Sequence, residues 1–259
     1  MENYANNMDP NHVPEEYKVP YDILELPSQG ILYPNKKSSI KVEYLTTIDE
    51  NILSSPNIVN SGKLIDILLD RKVKDLGFNP IDLLEGDRMA ILIFLRSTAF
   101  GEIYNQPVID PKTGNLTQGD IDLNTLEQKK LSVNPNENGE FDYELPFSKS
   151  KIKFKLLTGA DELDVSERDK LLMERNGDDI SQKTTLRLER SIMEVDGIRD
   201  KMKISTIISK MKIMDSRKLR KYIEEIEPGI VFKTKATIQG GVTVDTFLRL
   251  GVNFLWPEI

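Results

Sequence analysis

The sequence has no cysteine and only one histidine, His12. Without cysteine there can be no disulfide, no cysteine-ligated zinc, no iron–sulfur cluster and no thiol nucleophile. A single histidine cannot build a multi-histidine metal site and is a poor basis for a Ser–His–Asp triad. We therefore expect a protein without a metal ion or a cofactor.

Long apolar runs are also missing. The longest, Met89–Leu95, has seven residues, far fewer than the ~20 needed to span a bilayer, so no membrane is expected as a partner. The formal net charge is −7, which disfavours general binding to nucleic acid or to anionic membranes. With 39% apolar residues over 259 positions, the chain can form a hydrophobic core.

The chain divides into an arm and two halves. Residues 1–18 are rich in asparagine and acidic residues with little apolar periodicity, which predicts a flexible N-terminal arm. The polar turn Asn134–Gly139 marks the boundary between a first half, residues 19–138, and a second half, residues 139–259. The length permits either one large domain or two modest ones.

Two segments 112 residues apart share the pattern Leu-Thr-x-x-Asp-Glu, namely Leu45–Glu50 and Leu157–Glu162. Each follows an alternating run typical of a half-buried strand, Ile40–Tyr44 and Ile152–Leu156. Threonine followed three residues later by an acid predicts a helix start. The sequence thus predicts an α+β fold of two pseudo-repeated halves, each with a short strand segment, several helices and a β-hairpin. The alternative is that unrelated strand–helix junctions look alike.

Several charged residues are predicted to have structural roles. The acidic pairs of the two repeated motifs are expected at helix N-termini, where acids are favourable, and Asp87 is expected to cap a helix over Arg88–Ala99. This helix is apolar all round, so it should be central and buried. The arginines that bracket it could form internal ion pairs or clamp a phosphate or carboxylate. The residues assigned these roles are Asp49, Glu50, Asp161, Glu162, Asp87, Arg88 and Arg96.

The second half is predicted to contain more helix than the first. The spacing of apolar residues predicts helices over Asp164–Asn176 and Thr184–Val195 and another that starts at Asp215. Gly240-Gly241 indicates a hairpin turn. The apolar tail Phe247–Trp256 is expected to close the core as a last strand, and it can also dock a partner through Phe254, Leu255 and Trp256.

The strongest charge asymmetry lies in Lys201–Lys221, with eight basic residues against one acidic residue. It can be a solvated helix face or a surface that binds an acidic protein. Nucleic acid is the least favoured partner, because no aromatic residues interleave with the basic ones. The candidate partner-binding residues are Lys210, Lys212, Arg217, Lys218, Arg220 and Lys221. No phosphate-binding loop, calcium loop or activated nucleophile is present, so we do not expect an enzyme.

An ordered set of motifs runs through the chain: Leu26-Pro27-Ser28, Leu45-Thr46 with Asp49-Glu50, Leu84-x-Gly86-Asp87-Arg88, Asp215-Ser216-Arg217 and Phe254-Leu255-Trp256-Pro257. The set resembles the T-even-like phage family of baseplate hub assembly proteins, also described as tail assembly chaperones. The resemblance implies a non-enzymatic role in building a phage tail, with other baseplate or tail hub proteins as partners. It also implies a location in the host cytoplasm during assembly, or in the virion baseplate.

The family often carries paired cysteines in its two hairpins. Here the corresponding turns, Asp110–Gly114 and Thr234–Gly241, have no thiols, so metal binding is not expected of this chain. Two other functions stay open: a permanent structural subunit of the baseplate, and a nucleic-acid-binding regulator that uses the basic segment.

Overall fold

The computed structural model describes residues 19–61, 63–177, 179–250 and 252–255. The predicted arm, residues 1–18, and Trp256 lie outside this range. The first half contains β1 Tyr21–Glu25, β2 Ser39–Glu43, α1 Thr47–Leu53, α2 Pro56–Ser61, α3 Leu64–Lys72, β3 Val73–Lys74, α4 Glu85–Phe100, β4 Ile103–Ile109, β5 Leu116–Asp122 and β6 Gln128–Lys129.

The second half follows a similar order of elements. It contains β7 Phe141–Glu144, β8 Lys151–Phe154, α5 Gly159–Asn176, α6 Lys183–Ser191, β9 Ile192–Val195, α7 Lys201–Ser209, α8 Ile213–Ile226, β10 Gly229–Ile230, β11 Lys233–Ile238, β12 Val242–Phe247 and α9 Val252–Leu255. The α+β class predicted from the sequence is therefore confirmed.

Each half begins with a three-stranded antiparallel sheet, ordered β1-β2-β3 in the first half and β7-β8-β9 in the second. In each sheet, helices lie in the sequence between the second and third strands. Each half later adds a hairpin, and the two hairpins join in one antiparallel sheet ordered β12-β11-β5-β4. The parallel between the halves is one of element order, and a duplication of the sequence itself stays a prediction.

The four-stranded sheet brings its two edge strands together. Gln106 in β4 is buried, and its amide donates to the Phe247 carbonyl at 2.9 Å and accepts from the Arg249 amide at 3.0 Å. Beneath the same sheet, the Tyr104 ring meets the Phe254 ring edge-on at 5.0 Å. The chain after β12 is therefore fixed against β4, at the far end of the strand order.

The core consists of two clusters of buried apolar side chains, and α4 contributes to both. Ile91 and Leu95 belong to the cluster around the two three-stranded sheets, whereas Leu92 and Ile93 belong to the cluster under the four-stranded sheet. Each cluster draws residues from both halves. The prediction that this helix is central and buried is therefore confirmed.

Several predictions of where elements begin and end were wrong. The helix predicted over Thr184–Val195 ends at Ser191, because Ile192–Val195 pairs with β8 as a third strand. The tail does not form a last strand: β12 ends at Phe247 and the last described residues are helical. Asp87 is not an N-cap, because α4 begins at Glu85 with Leu84 in the cap position; its carboxylate has other partners, described below.

Candidate interaction surface on α7 and α8

The basic segment folds as two helices and the short link between them. Asp200 caps α7 by accepting a hydrogen bond from the Lys203 amide at 2.9 Å. Ile204, Ile208, Leu219 and Ile226 face the core. Because apolar residues recur at helical spacing on one face of each helix, the basic residues between them are directed to solvent.

All six basic residues predicted to bind a partner are exposed: Lys210, Lys212, Arg217, Lys218, Arg220 and Lys221. Only Lys221 has an ion pair with another described residue, at 3.7 Å to Glu225. The other five have none within 4.0 Å among the residues that the structure describes. These cations are therefore available to carboxylates from outside the chain.

Exposed apolar side chains lie in the same region. Ile213 is 75% exposed and Met214 is 47% exposed in the first turn of α8, and Phe147 in the turn between β7 and β8 is 51% exposed. Arg217 follows Ile213, and Lys218 follows Met214, by one helical turn, so each pair shares a helix face. We call Phe147, Ile213, Met214 and the cations Lys210, Lys212, Arg217 and Lys218 the α8 surface.

Asp215 holds the two parts of the α8 surface together. The sequence predicted that α8 starts at Asp215; it starts two residues earlier, at Ile213, and Asp215 occupies its third position. Its buried carboxylate accepts hydrogen bonds from the amides of Phe147 at 2.9 Å and Ser148 at 3.0 Å. The turn that carries Phe147 is thus fixed to the first turn of α8.

Asp87 in the first half has an equivalent position. It is the third residue of α4, and its buried carboxylate accepts from the Ser28 amide at 2.9 Å, the Ser28 hydroxyl at 2.5 Å and the Tyr33 hydroxyl. Burial raises the pKa of Asp87, against the opposing effect of these hydrogen bonds. Its partners explain why a good capping residue does not cap its own helix.

The acidic pairs of the repeated motifs lie at helix N-termini, as predicted. In both, the aspartate accepts a hydrogen bond from the threonine amide, at 2.8 Å for Asp49 with Thr46 and 3.1 Å for Asp161 with Thr158. Burial alone would raise the pKa of Asp49, but hydrogen bonds from Lys72, Thr46 and Arg71 lower it overall. Glu50 is exposed.

Asp161 has the same balance of effects as Asp49. Burial opposes ionisation, but hydrogen bonds from Lys155, the Thr158 amide and Arg190 lower the pKa of its carboxyl overall. Glu162 is half-buried and lies 2.9 Å from Arg187. Asp161 and Glu162 therefore both have structural partners within the chain.

The two arginines that bracket α4 differ. Arg88 is buried and forms an ion pair with Asp66 at 2.6 Å, which is the internal ion pair that was one of its two predicted roles. Its guanidinium packs against Gly159, where any side chain in place of the glycine hydrogen would collide with it. Arg96 has no ion pair with a described residue. It donates to the Gly101 carbonyl at 3.1 Å and stacks 5.1 Å from the Phe100 ring centroid, so within the described part of the chain Arg96 has these contacts in place of the predicted ion pair.

Phe254 and Leu255 are not available to a partner. Both are buried, in the cluster under the four-stranded sheet. These two residues therefore help to close the core, as predicted for the tail. The prediction that they dock a partner was wrong. Trp256 lies outside the described residues.

A cavity of about 570 Å³ lies between α5, α6 and α8, lined by residues that include Glu162, Arg187 and Glu227. Arg187 and Glu227 also line a neighbouring cavity with Glu85 of α4. Burial raises the pKa of Glu85 and of Glu162 despite nearby arginines. Burial and the negative charges of Glu85 and Glu162 raise the pKa of Glu227 to about 7, although Arg187 and Lys129 oppose this.

In the described part of the chain, no group of three or more histidine, cysteine or acidic residues is placed to hold a metal ion. No helix among the described residues is long and apolar enough to cross a membrane.

Neither a family model, nor a curated protein, nor a solved structure matches this chain. The candidate site therefore depends on the geometry above.

Sequence reasoning found the basic residues of the α8 surface but missed two other groups. Phe147 lies 66 residues before Ile213 in the chain, and no local pattern links them. Glu227 follows a helix as an ordinary acid, and only the fold places it beside Glu85 and Glu162. The exposed apolar pair Ile213-Met214 was detectable, because it interrupts a run of basic residues.

Proposed function

We propose that this protein is a non-enzymatic assembly protein of a phage tail, a baseplate hub assembly chaperone that acts through protein–protein contacts. The observation that supports this most is the α8 surface, where exposed cations that have no ion-pair partner among the described residues surround exposed apolar side chains. Such a mixture is typical of surfaces that bind other proteins. The ordered motifs described above supply the tail-assembly setting.

The buried acids that the sequence singles out have partners within the chain, so the proposal assigns them structural roles. The buried aspartates Asp49, Asp87, Asp161 and Asp215 are all engaged by hydrogen bonds that fix turns or helix ends. These hydrogen bonds stabilise the fold, because a buried carboxylate without partners would cost free energy. The proposal therefore places the function on the exposed surface of the protein.

The proposal can be tested in the phage that encodes the chain. An amber mutation in its gene should cause incomplete tails or free tail components to accumulate, as seen by electron microscopy, while head assembly continues. Normal numbers of complete tails would contradict the proposal. A genomic position away from tail and baseplate genes would also count against it.

A permanent structural subunit would use the same kind of surface, so this second candidate needs a separate measurement. Mass spectrometry of purified virions distinguishes the two. A chaperone should be absent from the particle, whereas a structural subunit should be present in a fixed copy number.

A further inference from the structure

The α8 surface has a chemical pattern that specifies its partner more closely. Lys210 and Lys212 directly precede the apolar pair Ile213-Met214, and Arg217 and Lys218 follow it by one turn. Phe147 is held at the same end of α8 by the bonds from its amide and that of Ser148 to Asp215. An apolar centre is thus bordered by cations on both sides along the chain.

This arrangement complements one class of partner. Resting on the proposed function, we infer that the α8 surface binds an acidic amphipathic segment of a partner protein. Its apolar side chains contact Phe147, Ile213 and Met214, and its carboxylates face Lys210, Lys212, Arg217 and Lys218. Apolar anchors surrounded by complementary charges are the usual arrangement in recognition of amphipathic helices.

Two other occupants fit the surface less well. Nucleic acid would pair with the cations but would leave Ile213 and Met214 against phosphates and sugars, and one exposed aromatic ring, that of Phe147, offers little stacking. A second copy of the chain could present the acids of exposed α5. There Glu167 and Glu174 are interspersed with Lys170 and Arg175, so α5 has no strip of one charge.

The experiment uses the full-length protein and labelled peptides of about four helical turns, built from glutamate and leucine so that the leucines share one face. Three further probes are a scrambled peptide of the same composition, a version with glutamine in place of glutamate, and a short DNA duplex. Binding is measured by fluorescence anisotropy at low and high ionic strength, and self-association by sedimentation.

Two kinds of variant separate the charge and apolar contributions. The double variant Arg217→Glu/Lys218→Glu should weaken binding of the amphipathic acidic peptide by about 100-fold at low salt, and less at high salt, because screening already removes part of the attraction. Ile213→Ser should weaken it by about tenfold at both salt concentrations, because apolar contacts are not screened. Circular dichroism and thermal unfolding verify that each variant is folded.

Matched controls change the same residue types elsewhere on the surface. Lys112→Glu/Lys235→Glu alters two exposed lysines by the same total charge, one in the turn between β4 and β5 and one in β11. Leu116→Ser removes an apolar side chain that is 73% exposed. Both should bind the peptide as the wild type does. If the control variants weaken binding as much as the α8 variants do, binding depends on net charge or on nonspecific hydrophobic association, and the inference is wrong.

Three other results would also overturn the inference. The first is that the scrambled peptide binds as well as the amphipathic one. The second is DNA binding that is lost in the charge variant but unchanged by Ile213→Ser, and the third is self-association of the wild type that the charge variant abolishes. The last two would identify nucleic acid and a second copy as the occupants. Failure of the proposed function is distinguishable: normal tails in the amber mutant with intact peptide binding would refute the assembly role but not the chemistry of the surface.

Discussion

Glu227 should make the protein less stable as the pH rises through the neutral range. Its carboxyl is half-buried and is faced by Arg187 from α6, Lys129 from β6, and the like charges of Glu85 and Glu162. Burial, together with the negative charges of Glu85 and Glu162, raises its pKa from 4.5 to about 7, and the two cations only partly oppose this rise. Between these two values the folded protein holds a proton that the unfolded chain has released, so stability falls as the pH increases.

The size of the effect follows from the two pKa values. A rise from 4.5 to about 7 corresponds to about 3 kcal/mol of destabilisation once the pH exceeds the folded-state value. Because solvent reaches part of the side chain, we expect about 2 kcal/mol to be measured. Glu227→Gln keeps the shape and removes the charge, so the variant should be more stable than the wild type by this amount at pH values above 7, and by nearly nothing at pH values below 4.5.

The assay is urea unfolding followed by far-ultraviolet circular dichroism at a series of pH values. The control is Glu225→Gln, which removes an exposed carboxylate two residues away that lies 3.7 Å from Lys221. This control should show no gain at high pH. The reasoning is refuted if the difference between Glu227→Gln and wild type is the same at acidic and alkaline pH, or if the variant is the less stable protein at alkaline pH.

Three further substitutions test how the elements are joined. Gly86→Ala should destabilise the protein by about 2 kcal/mol or more, because the new methyl group would collide with the Pro228 carbonyl oxygen; unchanged urea unfolding would contradict this. Phe254→Ala should cost about 3–5 kcal/mol of unfolding free energy, whereas Phe247→Ala, at a side chain that is 63% exposed, should cost little. Asp215→Ala should lose about 1–3 kcal/mol because it leaves the two turn amides without their acceptor, and hydrogen exchange should show faster exchange at those amides.

The local signals in the sequence predicted the elements well. Thr46 and Thr158, each followed by an acid three residues on, start helices at the expected places. The apolar pattern of α4 predicted a central helix, and the helix ends close to the predicted position, with Gly101 as its C-cap. These features depend on residues within a few positions of one another, so a single segment contains the information.

Predictions failed where the deciding partner is distant in the chain. Asp87 and Asp215 are of a residue type that often caps helices, but their carboxylates accept hydrogen bonds from amides 59 and 68 positions away, those of Ser28 and Phe147. Ile192–Val195 continues a helical pattern, but pairing with β8 makes it a strand. In each case tertiary hydrogen bonds decide between local alternatives that are similar in free energy.

The candidate site shows the same division. The cations of the α8 surface all lie in the short segment 210–218 and could be predicted, because lysines and arginines on the polar face of an amphipathic helix face solvent. The apolar anchors could only partly be predicted. Phe147 belongs to the surface because Asp215 fixes its turn to α8. Phe254 and Leu255, which were predicted to bind a partner, do not belong to it, because they pack beneath the four-stranded sheet.

The contacts between the halves argue that the α8 surface depends on the whole chain. The Gly159 amide of the second half donates to the Leu83 carbonyl of the first at 3.0 Å, and Arg88 packs on Gly159. The backbone of Gly86 meets that of Pro228 and Gly229, directly after α8. The first cluster also places Leu219 and Ile226 of α8 in one core with Ile91 and Leu95 of α4. Because a helix in water derives most of its stability from packing its apolar face, α8 holds its exposed residues in place only while the core that it shares with α4 is intact.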